Sequence, residues 1–465
     1  MSTYPFARSN SYGLIAIVLI FLSACDSQPA KPGPDAPPPP SDGSFSWKRF
    51  DGTDISLLIS EHSVTDGIRS VIGEFEDATG IRVSIDALAE DLYFDRMELA
   101  LRATDGVADV YFFPMDSTGY SQWAAGLVQP LDPFLDNAGM TAPDYDLAGF
   151  PSQFLTAATF PPNDANAKLY GIPVSFEAYI LFYNKELVGQ YLGGQLPQTM
   201  DELVAGAKHI NEAANGSAAG AVMRGIRSDT ILDTVTGMIF NHWGEADAPL
   251  PYNVWFDGDW NKPRLTDQRI VNGLKDYAGM MKAGPPNIMA MDWPEATLLF
   301  SQGKAAFYID ASLFGPGFED PMKSAVSGKV GYALLPPALP GGESRTGHWM
   351  WGLGLPKNAR HPGAGWYFIQ WLTSKSMEPR VATFHGGAAR LSTWSDPHYT
   401  EKLNPEYVRT VQTAMKTSRP TAEFREGWKE HAIEISASIQ AMYKGEAPEA
   451  VAERLQSKLL ELSER

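Results

Sequence analysis

A chain of 465 residues, 44% of them hydrophobic and 11% aromatic, carries enough apolar material for two sizeable cores, since single cores rarely grow past about 250–300 residues. Its formal net charge of −18 argues against nucleic acid as a partner, because duplex binding needs a basic face, and equally against docking on an anionic membrane by charge. The single cysteine, Cys25, and eight histidines without an H-E-x-x-H spacing leave no internal disulfide, no cysteine-rich zinc site and no histidine metal site. No cofactor is expected.

The first residues read as an address. Arg8 supplies positive charge, and Leu14 to Ala24 is an apolar run shorter than the ~20 residues a bilayer span needs. That is the size of a signal-peptide core, so residues 1–24 are expected to be a signal peptide. The run ends at Leu22-Ser23-Ala24-Cys25, which is similar to a bacterial lipobox, where the cysteine is acylated and becomes the new N-terminus. Asp26 behind it suggests retention at an inner membrane. Residues 25–46 then form a tether with Pro29, Pro32, Pro34 and Pro37 to Pro40, extended at roughly 3.1 Å per residue where it is polyproline II.

An α/β pattern follows. Ile55 to Ile59 reads as a buried strand, and Ile68, Val71, Ile72 and Phe75 as one face of a helix that Gly80 stops. Ile81, Val83 and Ile85 alternate as a strand, Leu92 to Arg102 reads as a helix, and Asp109 to Phe113 as another buried strand. This order predicts a largely parallel sheet covered on both faces. Beyond Tyr170, Ala178 to Tyr183 reads as a strand, and Thr199 with Glu202 as a capping box ahead of a helix. Ile270, Leu274, Tyr277 and Met281 mark a helix stopped by Gly284 and Pro285. Pro294 fits a first helical position capped by Asp292 or Trp293. Lys304 to Ile309 is a strand again, His361-Pro362 opens a helix, and the last hundred or so residues read mainly as helices.

Four stretches carry a family resemblance: Gly171 to Lys185 (GIPVSFEAYILFYNK); Asp292 to Ala296 (DWPEA) with Gln302 to Asp310 (QGKAAFYID); Gly328 to Tyr332 (GKVGY); and Trp351 to Pro356 (WGLGLP). They resemble the family-one extracellular solute-binding proteins of ABC importers, and within that family the sorbitol/mannitol-type polyol binders. One departure is Trp349-Met350-Trp351, where the family often has Gly-Gly-Trp; it leaves open which tryptophan faces the ligand. The resemblance implies a two-lobed periplasmic-binding-protein-like fold (type II), each lobe a mostly parallel sheet flanked by helices, with ligand in the cleft between lobes. Crossings are expected near residues 172–175, 308–312 and 347–353. That gives an N-terminal lobe of residues 47–172 plus 310–350 and a C-terminal lobe of 173–309 plus 351–465. Implied partners are a small polyol or sugar, the transmembrane subunits of an ABC permease, and the membrane through acylated Cys25. A monomer on the periplasmic or extracytoplasmic face is expected.

A polyol presents C–H faces that pack on aromatic rings and hydroxyls that bond carboxylates and guanidinium groups. Trp293, Trp349 and Trp351 fit by position, and Trp243 ends an apolar helix; Trp366 and Trp371 read as core. Glu177 falls at the first crossing, where the family places an acidic residue on ligand hydroxyls, and Asp310 ends the second crossing strand. Glu61, His62 and Asp116 follow predicted strands, outside whose carboxyl ends ligands bind in open α/β sheets. Arg390, after Gly386-Gly387, occupies a region from which the family often sends an arginine into the cleft. The chain has no Gly-x-Ser-x-Gly elbow, phosphate loop or dinucleotide fingerprint. A surface-anchored carbohydrate-active enzyme and a ligand-presenting sensor subunit remain as alternatives to a transport receptor.

Overall fold

The structure, a computed structural model, describes residues 43–115, 118–162, 164–243, 254–257, 261–421 and 427–464. The signal residues, Cys25, most of the tether and Asp116 lie outside them. Nine described strands share one sheet, in the order Arg82–Leu88, Asp54–Ser60, Val110–Pro114, Gly347–Gly354, Gly171–Asn184, Ala305–Ala311, Ala219–Val222. Val330–Ala333 adds to Gly171–Asn184, and Arg419–Pro420 to Gly347–Gly354.

Local sequence explains the first unit. Helix Ser63–Thr79 buries Ile68, Val71 and Phe75 and ends at Gly80, whose φ of 75° lies in the left-handed region that glycine tolerates. Phe75 packs edge-on against Phe368, with ring centroids 5.3 Å apart. Its N-cap is His62, whose side chain accepts from the backbone N–H of Val64. The strand before it, Asp54–Ser60, pairs in parallel with Arg82–Leu88 and Val110–Pro114, as the alternation of strands and helices predicts.

The fold turns on one strand. Gly171–Asn184 has 14 residues, nearly all buried, and at about 3.3 Å per residue reaches some 46 Å. Its first half pairs with Gly347–Gly354, which in turn pairs with Val110–Pro114. Its second half pairs with Ala305–Ala311 and Val330–Ala333. The strand therefore belongs to both halves of the molecule, and the ladder shifts register between Trp351 and Gly352.

This pairing corrects the expected lobe boundaries. Residues 330–333 sit beside the second half of the crossing strand, not in the N-terminal half. Residues 352–354 sit beside Phe113 to Tyr111. Helix Pro362–Leu372 follows them into the N-terminal half, where Trp366 Nε1 donates to Thr141 and Gln370 bonds the backbone of Met140 and Ala142. Helix Trp428–Tyr443 returns to the other half, with Gln440 donating to the carbonyl of Gly225. The chain thus changes halves again after the last crossing strand, because strand pairing, not chain order, fixes each segment's place. The expected capping box at Thr199 is only half formed, and the full box stands at Asp292, where a plain cap was expected. Asp292 and Glu295 form a reciprocal box, whereas Thr199 caps Glu202 but the Glu202 carboxylate accepts from Gln198 N.

Candidate functional site

The antiparallel register places Trp349 opposite Glu177 and Trp351 opposite Ser175. Paired residues point to the same face, and residues two apart share it. One face at the crossing therefore carries Ser175, Glu177, Trp349 and Trp351. Trp351 is 1% exposed and stacks on Phe112 at 4.2 Å with an interplanar angle of 7°. Phe94 lies 5.8 Å from it. Trp349, only partly buried, meets Trp351 edge-on at 5.5 Å.

His62 closes on this face from the start of its helix. Its Nδ1 accepts from Val64 N at 3.1 Å, which leaves Nε2 as the donor nitrogen. That N–H donates to Glu177 Oε1 at 3.1 Å, and Ser175 Oγ donates to the same oxygen at 3.3 Å. Helix capping thus fixes the tautomer that holds the carboxylate. Among the described residues no hydrogen bond reaches Glu177 Oε2, and a carboxylate has about four acceptor positions. Ser175 also lies 3.5 Å from His385 Nδ1, which accepts from Gly387 N at 3.2 Å. Gly387 is pinned to the crossing strand: a Cβ there would come 2.1 Å from the Phe176 carbonyl oxygen. Burial pushes the His385 imidazole down to about 3. Its Nε2 has no hydrogen-bond partner among the described residues.

The opposite wall comes from the other half. Trp293, at the start of helix Trp293–Ser301, stacks on Phe314 at 5.6 Å, and Phe314 on Tyr308 at 6.2 Å. Trp293 Nε1 donates to Glu90 Oε2 at 3.1 Å. Glu90 opens helix Glu90–Arg102 in the N-terminal half, so this bond spans the two halves. Burial raises the Glu90 carboxyl above its ordinary range, while the Arg224 charge opposes that rise.

Beneath lies a second ionic group. Arg224 donates through Nη2 and Nε to Asp310 at 2.6 and 3.0 Å, and through Nη1 to Asp233 at 2.9 Å. Its guanidinium lies over the Tyr179 ring at 5.7 Å. Burial pushes the Asp233 carboxyl up to about 7, against the Arg224 charge.

The structure thus brings His62, Glu177, Trp349 and Trp351 together at the crossing and ties Trp293 to Glu90 across the two halves. The remaining candidates sit elsewhere. Glu61 is exposed and paired with Arg69 at 3.1 Å, because the residue after the strand turns outward while His62 turns in. Asp310 is fully buried and held by Arg224. Trp243 is sandwiched under Arg269 and Arg264, with guanidinium carbons 4.2 and 5.6 Å from its ring. Arg390 is buried in the N-terminal half, donating to the carbonyls of Thr373 and Asp146 at 2.5 Å each and lying 4.1 Å above the Phe150 ring. Its charge is consumed by backbone carbonyls, so it stays out of the cleft. Sequence reasoning missed Glu90, Ser175, His385 and Arg224. Glu90 follows strand Arg82–Leu88, so the strand-end rule applied to His62 could have found it.

Comparisons with known proteins agree with this architecture. An erythritol/L-threitol-binding protein of Mycolicibacterium smegmatis is 25% identical over 449 residues, covering 93% of this chain and 91% of that protein. A probable amino-acid ABC transporter periplasmic-binding protein of Sinorhizobium fredii is 27% identical over 430 residues, covering 89% and 90%. A solute-binding protein of Agrobacterium radiobacter solved with ribitol superposes with a TM-score of 0.73 at 22% identity, covering 89% of this chain and 99% of its own. That likeness establishes the two-lobed fold. Residues 61–379 match the family described as bacterial extracellular solute-binding protein; the match covers more than half of the 465 residues, and the chain belongs to that family.

Proposed function

We propose that this solute-binding protein captures a small polyhydroxylated molecule, a sugar alcohol or sugar, between its halves and delivers it to the permease of an ABC importer. The observation that carries this reading is Glu177: a buried carboxylate with acceptor capacity to spare, directly opposite the partly exposed ring of Trp349. Carboxylate and aromatic face together match the hydroxyls and C–H groups of a polyol. The relative that binds erythritol or L-threitol and the ribitol-bound structure support the ligand class. The amino-acid-transporter relative raises a rival class. An amino acid needs a cation for its carboxylate, and Arg224, whose guanidinium lies over the Tyr179 ring of the crossing strand, is already bound by Asp310 and Asp233. The site therefore favours a neutral, hydroxyl-rich ligand.

A thermal-shift screen followed by calorimetry tests this. A polyol or monosaccharide should stabilise the protein by ~2.7 kcal/mol at a hundredfold excess over its Kd. Saturable binding of amino acids with no response to any polyol or sugar would overturn the reading. Turnover of a glycoside would favour the enzyme alternative. We further propose attachment to the membrane through acylated Cys25, since two acyl chains hold firmly where one does not. Cys25→Ser should move the protein to the soluble fraction with ligand affinity unchanged; an unmodified Cys25 in the mature protein would refute the anchor. No described helix is long and apolar enough to cross a membrane.

A further inference from the structure

The bond between Trp293 Nε1 and Glu90 Oε2, 3.1 Å long, joins a helix start in one half of the molecule to a helix start in the other. Nothing can lie between two groups in direct hydrogen-bond contact. Across the cleft floor, His62 and Glu177 make their own contact at 3.1 Å. Phe94, one turn beyond Glu90 on helix Glu90–Arg102, lies 5.8 Å from Trp351, and His62 lies 6.4 Å from the same ring, so the start of this helix stands over the floor. Floor and roof are therefore close neighbours. Aromatic walls complete the enclosure, Trp349 and Trp351 on one side and the stack of Trp293, Phe314 and Tyr308 on the other.

From this enclosure we infer that the Glu90–Trp293 pair sets the upper size of the ligand, admitting one short acyclic polyol or one monosaccharide and excluding oligosaccharides. The inference rests on the carbohydrate reading proposed above and narrows it. A saccharide long enough to pass between Glu90 and Trp293 breaks the bond between the halves. The pair is well supported in place. Asp292 caps the Trp293 helix and accepts from Thr230 Oγ1 at 3.0 Å, tying the helix start to its own half. Stacking on Phe314 fixes the indole plane. Glu90 stands at a helix N-terminus, where a carboxylate is favoured by the helix dipole. Glu90 and Trp293 are size-determining residues; Glu177 remains the group that reads hydroxyls.

The test is calorimetric titration of the purified protein with its tightest short polyol among erythritol, ribitol and D-mannitol, and with maltotriose. The wild type should prefer the polyol by at least about a hundredfold, since a ligand that breaks contacts is rejected through the groups left unpaired. Glu90→Ala removes the acceptor, and Trp293→Phe keeps the ring stack but removes the donor. Both should narrow that preference by about tenfold or more, chiefly by strengthening maltotriose binding. Maltotriose binding to the wild type within about threefold of the polyol would overturn the inference alone, as would variants that leave the ratio unchanged while still binding polyol. If neither polyols nor saccharides bind the wild type, the carbohydrate reading falls and takes this inference with it.

Discussion

Two clusters of buried acidic residues stand close together, and they have different jobs. In one, Asp310 and Asp233 grip Arg224 through three hydrogen bonds between them. Asp310 Oδ1 also accepts from the backbone N–H of Ala311, and Asp233 Oδ1 from Thr421 Oγ1. In the other, Glu177 takes two hydrogen bonds on a single oxygen, and Glu90 takes one from an indole. In the first cluster every carboxylate oxygen accepts from protein; in the second, among the described residues, no hydrogen bond reaches Glu177 Oε2 or Glu90 Oε1. A carboxylate at a lobe crossing is thus no guide to binding until its remaining lone pairs are counted.

The comparison breaks most visibly at Arg224. Arg224→Met leaves two carboxylates buried without a cation and should cost about 3–5 kcal/mol in denaturant unfolding. A loss below about 1 kcal/mol would show that the lower cluster does not hold the fold. The two facing tryptophans sharpen the same contrast. Trp351→Ala empties a packed, stacked position and should cost about 3–5 kcal/mol of stability. Trp349→Ala should cost much less stability and weaken polyol binding by at least about tenfold, ~1.4 kcal/mol. The opposite assignment of the two effects would put the ligand against Trp351.

A smaller effect lies in pH. Burial raises the folded-state Asp233 carboxyl from 3.8 to about 7. As pH climbs past the lower value the unfolded chain releases this proton first, so the group's stabilising contribution falls between about pH 4 and about pH 7. Asp233→Asn should remove that decline, so that the wild type loses ground to the variant across this window in thermal unfolding. A wild-type-to-variant difference that is flat with pH would contradict the burial assigned to Asp233.

Much of the fold was legible because periodicity reports burial directly. The helix Ser63–Thr79 and its Gly80 stop, the buried strands, and the Asp292 cap with Pro294 all follow from spacing. Lobe membership was not, because it depends on which strand Gly347–Gly354 pairs with, a long-range choice that local sequence does not encode. The site divides along the same line. His62, Glu177 and Trp349 were visible as residues at strand ends and crossings. Arg390 and Asp310 were visible too, and their chemistry suited a ligand equally well. What removed them was partners distant in sequence: Thr373 and Asp146 carbonyls for one, Arg224 for the other. Ser175 and His385 gave no signal of their own, since neither residue type stands out until the crossing strand brings Gly387 against Phe176.

The central claim is that Glu177 reads ligand hydroxyls. Its most direct test is calorimetric titration of the wild type and Glu177→Ala with the same polyol, beside the ligand-free melting temperature of each. Truncating a charged hydrogen-bond partner in a desolvated site costs ~2–5 kcal/mol. Affinity should therefore fall at least about tenfold, ~1.4 kcal/mol, while folding survives. Affinity held within about twofold together with a clear drop in melting temperature would contradict the claim and leave Glu177 as the structural partner of His62.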